Sequence, residues 1–254
     1  MKYYKSNAIY EYIKANSLNH LQFVAGDAWQ LVYGDSMCKP LLLVFAAAIT
    51  SGEIDKGPSE KERMGFNLLL KAAAKTNLPA RYIRFASDTA AVESVRVSDK
   101  SFAFTTLTMP ELSALFGSFG LPVSNTQTVK YLNDAASSAY HHWQRLSLGT
   151  SLTVSDIDLW KLSPGGEPDT IFELKRSYYD LQKWKPFADD YRNFKLISNL
   201  CKLAGIQFRI IYNQRVKNPF EDKIDQLKIF AVDFSKEQPI VEERIIEPGA
   251  LKNL

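Results

Sequence analysis

The segment that decides the fold covers residues 155–177 and reads SDIDLWKLSPGGEPDTIFELKRS. Its two ends alternate apolar and polar residues, which is typical of half-buried strands, and the Pro and Gly residues between them predict a tight turn. In the first strand, the alternation assigns Asp158 to the polar face. In the second strand, Glu173 and Lys175 lie on one face and Phe172 lies on the opposite face. The segment therefore predicts a β-hairpin with one apolar face and one charged face.

A two-residue turn at Gly165-Gly166 fixes the register of this hairpin, since Gly tolerates the positive φ angles that such turns need. With this turn, Asp158 lies directly opposite Glu173, and Asp156 lies opposite Lys175. Residues that face each other across two strands have Cβ atoms about 5 Å apart. The register follows from the turn chemistry, and it brings two carboxylates and a lysine together.

Two carboxylates that face each other on a half-buried sheet repel and need compensation. A hard divalent cation such as Mg²⁺ compensates them well, because it prefers carboxylate oxygens and keeps waters that a substrate can displace. Lys175 can orient or deprotonate a water beside such a metal, because a dication lowers the proton affinity of the amine. A metal, a positioned water and a cation near developing negative charge are the parts needed to hydrolyse a phosphodiester.

The pattern of Asp158 followed by Glu173-Leu174-Lys175, on two adjacent strands with helices on either side, resembles the PD-(D/E)xK nuclease superfamily. This superfamily includes many type II restriction endonucleases, Holliday-junction resolvases and repair nucleases. The resemblance covers roughly residues 127–234. It implies that Asp158 and Glu173 are metal ligands, with the Leu174 carbonyl as a third. It also implies that Lys175 is the catalytic lysine, that Mg²⁺ is the cofactor with Mn²⁺ as a substitute, and that DNA is the partner.

The sequence departs from the superfamily pattern in three places. The helix expected before the hairpin offers only Asp134 as the additional acid that some members place there. Position 157 is Ile where the name-giving motif has Pro, and no first core strand is recognisable between Leu146 and Leu152. An ordinary hairpin with a solvated, salt-bridged face is the alternative interpretation. Four apolar residues face the other way, and helices are available to cover the sheet, so the pattern favours the site over this alternative. These residues are Ile157, Leu159, Phe172 and Leu174.

Four basic residues near the motif are candidate nucleic-acid contacts. In nucleases of this type the helix after the motif borders the cleft, so Arg192 and Lys195 on the polar side of the helix expected from about residue 187 to 204 are candidate phosphate contacts. A solvated helix face explains these two equally well. Lys183 and Lys185 lie in an aromatic loop that can touch a nucleic-acid backbone.

The predicted fold class is α/β. We expect a restriction-endonuclease-like core, a mixed central sheet flanked by helices, at residues 124–254. An additional mixed α/β N-terminal region of unassigned fold, residues 1–123, would serve as an accessory or recognition module. Turn formers at 120–125 set this boundary. Within the N-terminal region, the run PLLLVFAAAI at 40–49 predicts a buried strand, and Pro58-Ser59-Glu60 predicts the start of a helix.

Composition limits where such a protein acts. The 254 residues carry a net charge of +3, so contact with a polyanion must come from a local patch. Cys38 and Cys201 form no disulfide framework, which makes a reducing cytoplasm the expected location. The most apolar run, at 40–49, is half the roughly 20 residues that a membrane span needs, and no apolar signal-peptide core opens the chain. We therefore expect no membrane partner.

The predicted function is a Mg²⁺-dependent endonuclease that hydrolyses DNA phosphodiester bonds. A type II-like restriction endonuclease acting as a homodimer is the first choice, because two active sites related by a two-fold axis suit cleavage of both strands. A structure-specific repair, phage or mobile-element nuclease is an alternative. A catalytically inactive nucleic-acid-binding or scaffold protein with a nuclease-like fold, and an RNase, are the others.

Overall fold

The computed structural model of the chain describes residues 7–24, 26–124 and 138–254. The chain divides into two units. The first unit is Val24–Asp156, and the second combines the stretch that ends at Phe23 with Ile157–Leu254. The first unit is therefore inserted into the sequence of the second.

The elements are named here in chain order. The helices are α1 (Ala8–Ala15), α2 (Glu60–Thr76), α3 (Met109–Ser118), α4 (Ala139–Ser147) and α5 (Tyr191–Ala204). The strands are β1 (Leu21–Gln22), β2 (Ala28–Gly34), β3 (Pro40–Ile49), β4 (Ala80–Ala86), β5 (Ser94–Ser98), β6 (Thr105–Thr108), β7 (Thr153–Asp156), β8 (Leu159–Leu162), β9 (Pro168–Ser177), β10 (Gln207–Val216), β11 (Glu221–Asp222), β12 (Leu227–Val232) and β13 (Ile240–Ile246). Short 3₁₀ helices cover Ser51–Glu53, Ala188–Asp190 and Pro248–Asn253. Among the residues that the structure describes, no helix has the length and apolar character needed to cross a membrane.

The first unit is built on a six-stranded mixed sheet of order β6-β5-β4-β3-β2-β7. Strands β3 and β4 are parallel and joined by α2, whereas the other neighbours are antiparallel. The apolar run expected to form a buried strand is β3, with Val44 and Phe45 fully buried. The expected helix start is also confirmed, because Ser59 and Glu62 form a capping box in which each side chain accepts the other's backbone N–H.

A buried ion pair links three parts of the first unit. The Tyr82 hydroxyl donates a hydrogen bond to Glu62 Oε1, and Arg84 Nε lies 3.2 Å from the same oxygen. Arg84 also donates to the backbone carbonyls of Ile54 and Lys56. Burial alone raises the pKa of Glu62, but its hydrogen bonds and the charge of Arg84 outweigh burial and hold this pKa below its usual value. The cluster therefore fastens α2 and the loop after β3 to β4.

Replacing Glu62 with Gln is expected to lower the free energy of unfolding at pH 7 by about 2 kcal/mol or more, because Arg84 stays buried without its carboxylate. The folded-state pKa of Glu62 is depressed, so its contribution is fully present above the usual carboxyl value of 4.5 and is lost as the pH falls through the lower folded value. Urea unfolding at pH 7 and at pH 3 measures both effects. The matched control is Glu60→Gln on the exposed side of the same helix. Equal losses in the two variants would contradict the assignment.

The second unit is built on a mixed sheet of order β1-β8-β9-β10-β12-β13, with β11 paired to β10. Strands β9 and β10 are parallel, and the other neighbours are antiparallel. Helix α5 connects the parallel pair, as such a pair requires a crossover. It ends at Gly205, whose φ of +65° is the left-handed conformation that glycine favours at this position.

The two faces of this sheet have different roles. Helix α1 and the C-terminal 3₁₀ helix pack on one face, where Ile9, Phe172, Ile211 and Leu251 belong to one buried cluster. Glu173 and Lys175 belong to the other face by alternation, and it is there that Lys175 meets Phe194 of α5. Both faces are therefore covered by buried apolar side chains, and the charged pair lies at the α5 face among residues such as Phe194 and Ile197.

The expected fold is confirmed at the level of a mixed α/β chain with two mixed sheets flanked by helices. The division into units differs from the expected change at residue 123, because α4 packs in the core of the first unit and β7 pairs with β2. The strand expected over residues 152–162 is instead two strands in two sheets, interrupted at Ile157-Asp158. Between Leu146 and Leu152 the structure has no strand, and β8 instead pairs with β1, which lies far earlier in the sequence. Asp134 lies outside the described residues.

Candidate active site on the β8–β9 hairpin

Strands β8 and β9 pair in the predicted register next to Asp158 and Glu173. Leu159 pairs with Phe172, and Trp160 pairs with Ile171. One further step in this register sets Asp158, the residue before β8, across from Glu173. Asp158 is not in a strand, but its negative charge acts on Lys175, so it lies near the charged face of the hairpin.

The turn of the hairpin differs from the predicted two-residue turn. Ser163 N donates to Glu167 O at 2.8 Å, so the loop between them has three residues, and Gly166 adopts a φ of +76°. This loop alone would shift the register by one residue. Pairing jumps from Leu162–Pro168 to Lys161–Thr170, so Asp169 is an extra residue in β9 and restores the expected alignment.

Asp158 is held on two sides. Its Oδ2 accepts the backbone N–H of Leu174 at 2.7 Å, and its backbone carbonyl accepts the Tyr10 hydroxyl of α1 at 2.8 Å. Tyr10 is itself stacked on Phe23, with ring centroids 4.0 Å apart. The side chain of Asp158 thus continues the hydrogen bonding of β9 at the point where β8 begins. Sequence reasoning missed Tyr10, because its contact with Asp158 spans most of the chain.

The Leu174 carbonyl lies at the same edge of β9 as Asp158. A residue in an extended strand directs its N–H and its C=O to the same side. Because the Leu174 N–H meets Asp158, the Leu174 carbonyl is directed toward that side as well. The backbone oxygen expected as a third ligand is therefore next to the first carboxylate.

Glu173 and Lys175 form an ion pair at 3.0 Å between Oε1 and Nζ. Glu173 is only 5% exposed, and the Lys175 ammonium lies 5.1 Å from the centroid of the Phe194 ring. Burial acts to lower the pKa of Lys175, but the negative charges of Glu173, Asp190 and Asp158 outweigh it, so this pKa lies well above its usual value. Lys175 is therefore a protonated ammonium in this environment.

Asp190 is a third acid near Lys175 that sequence reasoning did not include. It ends the 3₁₀ helix that leads into α5, and its charge acts on Lys175. The only signal in the sequence was the pair Asp189-Asp190 just before a helix. Its approach to Lys175 depends on how α5 packs on the sheet, which no local pattern specifies.

The donor set suits a hard cation bound by few protein atoms. Among the described residues, no three His, Cys, Asp or Glu side chains lie close enough together to hold a metal ion. A metal bound here would therefore use the carboxylates of Asp158 and Glu173 and the Leu174 carbonyl, with water or substrate at the other positions. Oxygen donors of this kind fit Mg²⁺ or Mn²⁺.

One predicted neighbour does not belong to this cluster. Asp156, expected opposite Lys175, lies in β7 and pairs with Leu31 of β2 in the first unit. That expectation is wrong because the chain leaves one sheet at Asp156 and enters the other at Leu159. The two carboxylates that belong to the second unit are unaffected.

The four basic candidates are all exposed. Lys183 and Lys185 flank Trp184, which is buried and stacks on Tyr212 with ring centroids 4.2 Å apart. Arg192 and Lys195 are exposed on α5. The lysines of the loop are therefore directed to solvent by an indole that is anchored in the core.

Comparison with known proteins gives no family. No family model matches the sequence, and no curated protein matches it. Among solved structures, a sex pheromone staph-cAM373 precursor is 11% identical, with a TM-score of 0.16 over 94% of this chain and 92% of that chain. A sex pheromone precursor from Lactobacillus salivarius subsp. salivarius UCC118 is 7% identical, with a TM-score of 0.16 over 81% of this chain and 61% of that chain. At these TM-scores neither likeness bears on fold or function.

Millimolar Mg²⁺ is expected to raise the melting temperature of the protein by about 3 °C, because a cation held by the folded site stabilises it by mass action. Glu173→Gln should abolish this rise, since it removes a charged donor. Asp169→Asn is the matched control, because Asp169 also pairs with a lysine of the same hairpin, at 2.6 Å. Thermal unfolding with MgCl₂, and with EDTA, measures the effect. An equal rise in all three proteins would show that the cation binds elsewhere.

Proposed function

We propose that the chain is a Mg²⁺-dependent DNA endonuclease whose second unit is a restriction-endonuclease-like core. The observation that carries the proposal is the cluster at the start of β8, where Asp158 bonds to Leu174 N–H and Glu173 pairs with Lys175. Two carboxylates, a backbone carbonyl and an ammonium on adjacent strands are the parts that phosphodiester hydrolysis needs. The resemblance to PD-(D/E)xK nucleases assigns the same four residues.

The topology around the cluster supports this proposal. The hairpin lies inside a mixed sheet, with α1 on one face and α5 on the other. Helix α5 follows the motif strand directly and brings Phe194 under the Lys175 ammonium. This agrees with the mixed central sheet flanked by helices that the resemblance implies.

Each residue has a distinct role in the proposed reaction. Mg²⁺, or Mn²⁺ in its place, would supply a Lewis acid for the charge that develops on the phosphate. Asp158 and Glu173 hold the cation, and the Leu174 carbonyl completes the protein donors. Lys175 keeps its proton beside Glu173 and contributes positive charge next to the reacting phosphate.

The remaining assignments belong to the same proposal. The first unit, Val24–Asp156, would be the accessory or recognition module, and a homodimer would cut both strands of a duplex. The cytoplasm is the proposed location, in keeping with two cysteines that are buried and free of disulfides. A type II-like restriction endonuclease and a structure-specific repair, phage or mobile-element nuclease share these features.

One observation favours a second candidate, a nucleic-acid-binding or scaffold protein that does not cleave. Lys175 already neutralises Glu173 at 3.0 Å, so the pair can serve the fold without any metal. Such a protein would retain the basic surface of Lys183, Lys185 and Lys195. It would gain no stability from Mg²⁺, which separates it from the nuclease.

Purified protein is expected to cut plasmid or single-stranded DNA with Mg²⁺ and not with EDTA. Glu173→Gln and Lys175→Met should each lower the cleavage rate by about 100-fold or more, because the first removes a charged ligand of the cation and the second removes positive charge next to the reacting phosphate. Asp169→Asn, purified in parallel, should cut at the wild-type rate. Gel assays of supercoiled plasmid, circular single-stranded DNA and a matched RNA measure this. Cleavage that survives both site variants would overturn the proposal, and cleavage of RNA alone would assign an RNase.

The double variant Lys183→Ala/Lys185→Ala is expected to weaken DNA binding without sequence preference. Each lost phosphate contact should lower the slope of log affinity against log salt by about one. Lys202→Ala, in the last turn of α5 and paired with Asp233 at 3.5 Å, is the matched control. Titration of labelled DNA at several salt concentrations in EDTA measures the slope. A slope equal to that of the wild type would assign these lysines to an ordinary solvated surface.

A further inference from the structure

The segment between β9 and α5 exposes large aromatic rings beside the candidate site. Tyr178 is 46% exposed, Tyr179 is 59% exposed and Phe187 is 43% exposed. The rings of Tyr179 and Phe187 lie 5.5 Å apart, with an angle of 60° between their planes. Exposed apolar groups gathered in one place commonly mark a binding surface.

This segment is anchored in the core from beneath. Lys228 is 2% exposed and donates to the carbonyls of Gln182 and Trp184 at 2.9 and 3.3 Å. Trp184 stacks on Tyr212 with its ring nearly parallel, and the Tyr212 hydroxyl donates to the Tyr179 carbonyl at 2.6 Å. These contacts fix the backbone at Tyr179, and its ring remains exposed to solvent.

The same anchor holds the exposed rings on the side of the sheet that carries Lys175. Tyr212 of β10 is the register partner of Lys175 on β9, and partners on adjacent strands lie about 4.8 Å apart. In a parallel pair, register partners direct their side chains to the same face. The backbone of Tyr179, held by the Tyr212 hydroxyl, is therefore on the side of the sheet that carries Lys175 and Glu173, and the Phe187 ring lies against the Tyr179 ring.

Cations accompany the rings. Lys183 and Lys185 are exposed within the segment, and Lys217 Nζ lies 4.8 Å from the centroid of the Tyr178 ring. The nearby Asp180 carboxylate is engaged in a turn, where it accepts the N–H of Gln182 at 2.9 Å. Rings that stack on bases, together with ammonium groups that meet phosphates, are the features of single-strand binding surfaces. A continuous duplex offers no such contact, because its bases are already stacked on each other.

We infer that Tyr179 and Phe187 stack on unpaired bases of the DNA substrate. The site then acts on single-stranded DNA, or where a duplex opens into a single strand, and not within a continuous duplex. Of the two kinds of nuclease proposed above, this selects the structure-specific nuclease over the restriction endonuclease that cuts both strands of a duplex. The inference rests on the proposed function for the identity of the polymer. It adds the substrate class, which the cluster of Asp158, Glu173 and Lys175 does not specify.

The test is fluorescence anisotropy of the full-length protein in EDTA, which prevents metal-dependent cleavage. The probe is a fluorescein-labelled DNA of about 20 nucleotides, used alone and as a blunt duplex. The single strand should bind about tenfold tighter than the duplex. Tyr179→Ala should weaken single-strand binding about tenfold and leave duplex binding unchanged. Tyr179→Phe should bind as the wild type, because the ring is kept.

Leu203→Ala is the matched control, since Leu203 is 53% exposed on α5 and should not affect binding. Equal wild-type affinity for the two forms of DNA, or unchanged single-strand affinity in a Tyr179→Ala/Phe187→Ala variant, would overturn the inference. Failure of the proposed function gives a different result, in which the single-strand preference persists without metal-dependent cleavage. Glu173-dependent cutting of a duplex that the double variant leaves unchanged would overturn the stacking inference alone.

Discussion

The hydrogen bond from Leu174 N–H to Asp158 Oδ2 is the constraint on which the candidate site depends. Strand β8 begins at Leu159, so β9 extends past the end of its partner on that side. A backbone N–H left without a partner at this point would carry a cost comparable to a lost hydrogen bond. Asp158 satisfies it with a carboxylate, and Tyr10 holds the backbone of Asp158 from α1. The first carboxylate of the site is thus fixed by the fold itself.

The electrostatics of the site follow from a single cation among several acids. Lys175 pairs with Glu173, and the negative charges of Asp190 and Asp158 also act on it. These charges raise the pKa of Lys175. A dication at Glu173 would compete with the ammonium for the same oxygen and repel it, so cation binding and the proton affinity of Lys175 are coupled. The fall in pKa expected from the sequence thus requires the dication, because the carboxylates by themselves act in the opposite direction.

The sequence predicted the features that depend on neighbouring residues, such as strand alternation and turns. Alternation and turn chemistry gave the hairpin register, although the turn has three residues and Asp169 supplies the compensation. The break at Ile157-Asp158 was not predicted, because the alternation of polar and apolar residues from Asp156 to Leu159 continues through it with no Gly or Pro. Strand β1 is two residues long, which is too short to show the alternation of a strand, and it pairs with a strand far along the chain. The approach of Asp190 to Lys175 likewise depends on packing between distant elements.

The insertion of the first unit between β1 and β8 also orders events during synthesis. The chain leaves the second unit after β1 and returns at β8, and these two strands are neighbours in one sheet. Elements emerge from the ribosome N-terminus first, and units tend to fold as they emerge. Helix α1 and β1 must therefore wait, with their apolar side chains uncovered, until the whole inserted unit and then the hairpin have been made. The nascent chain completes its inserted half before it can close the sheet that its first residues began.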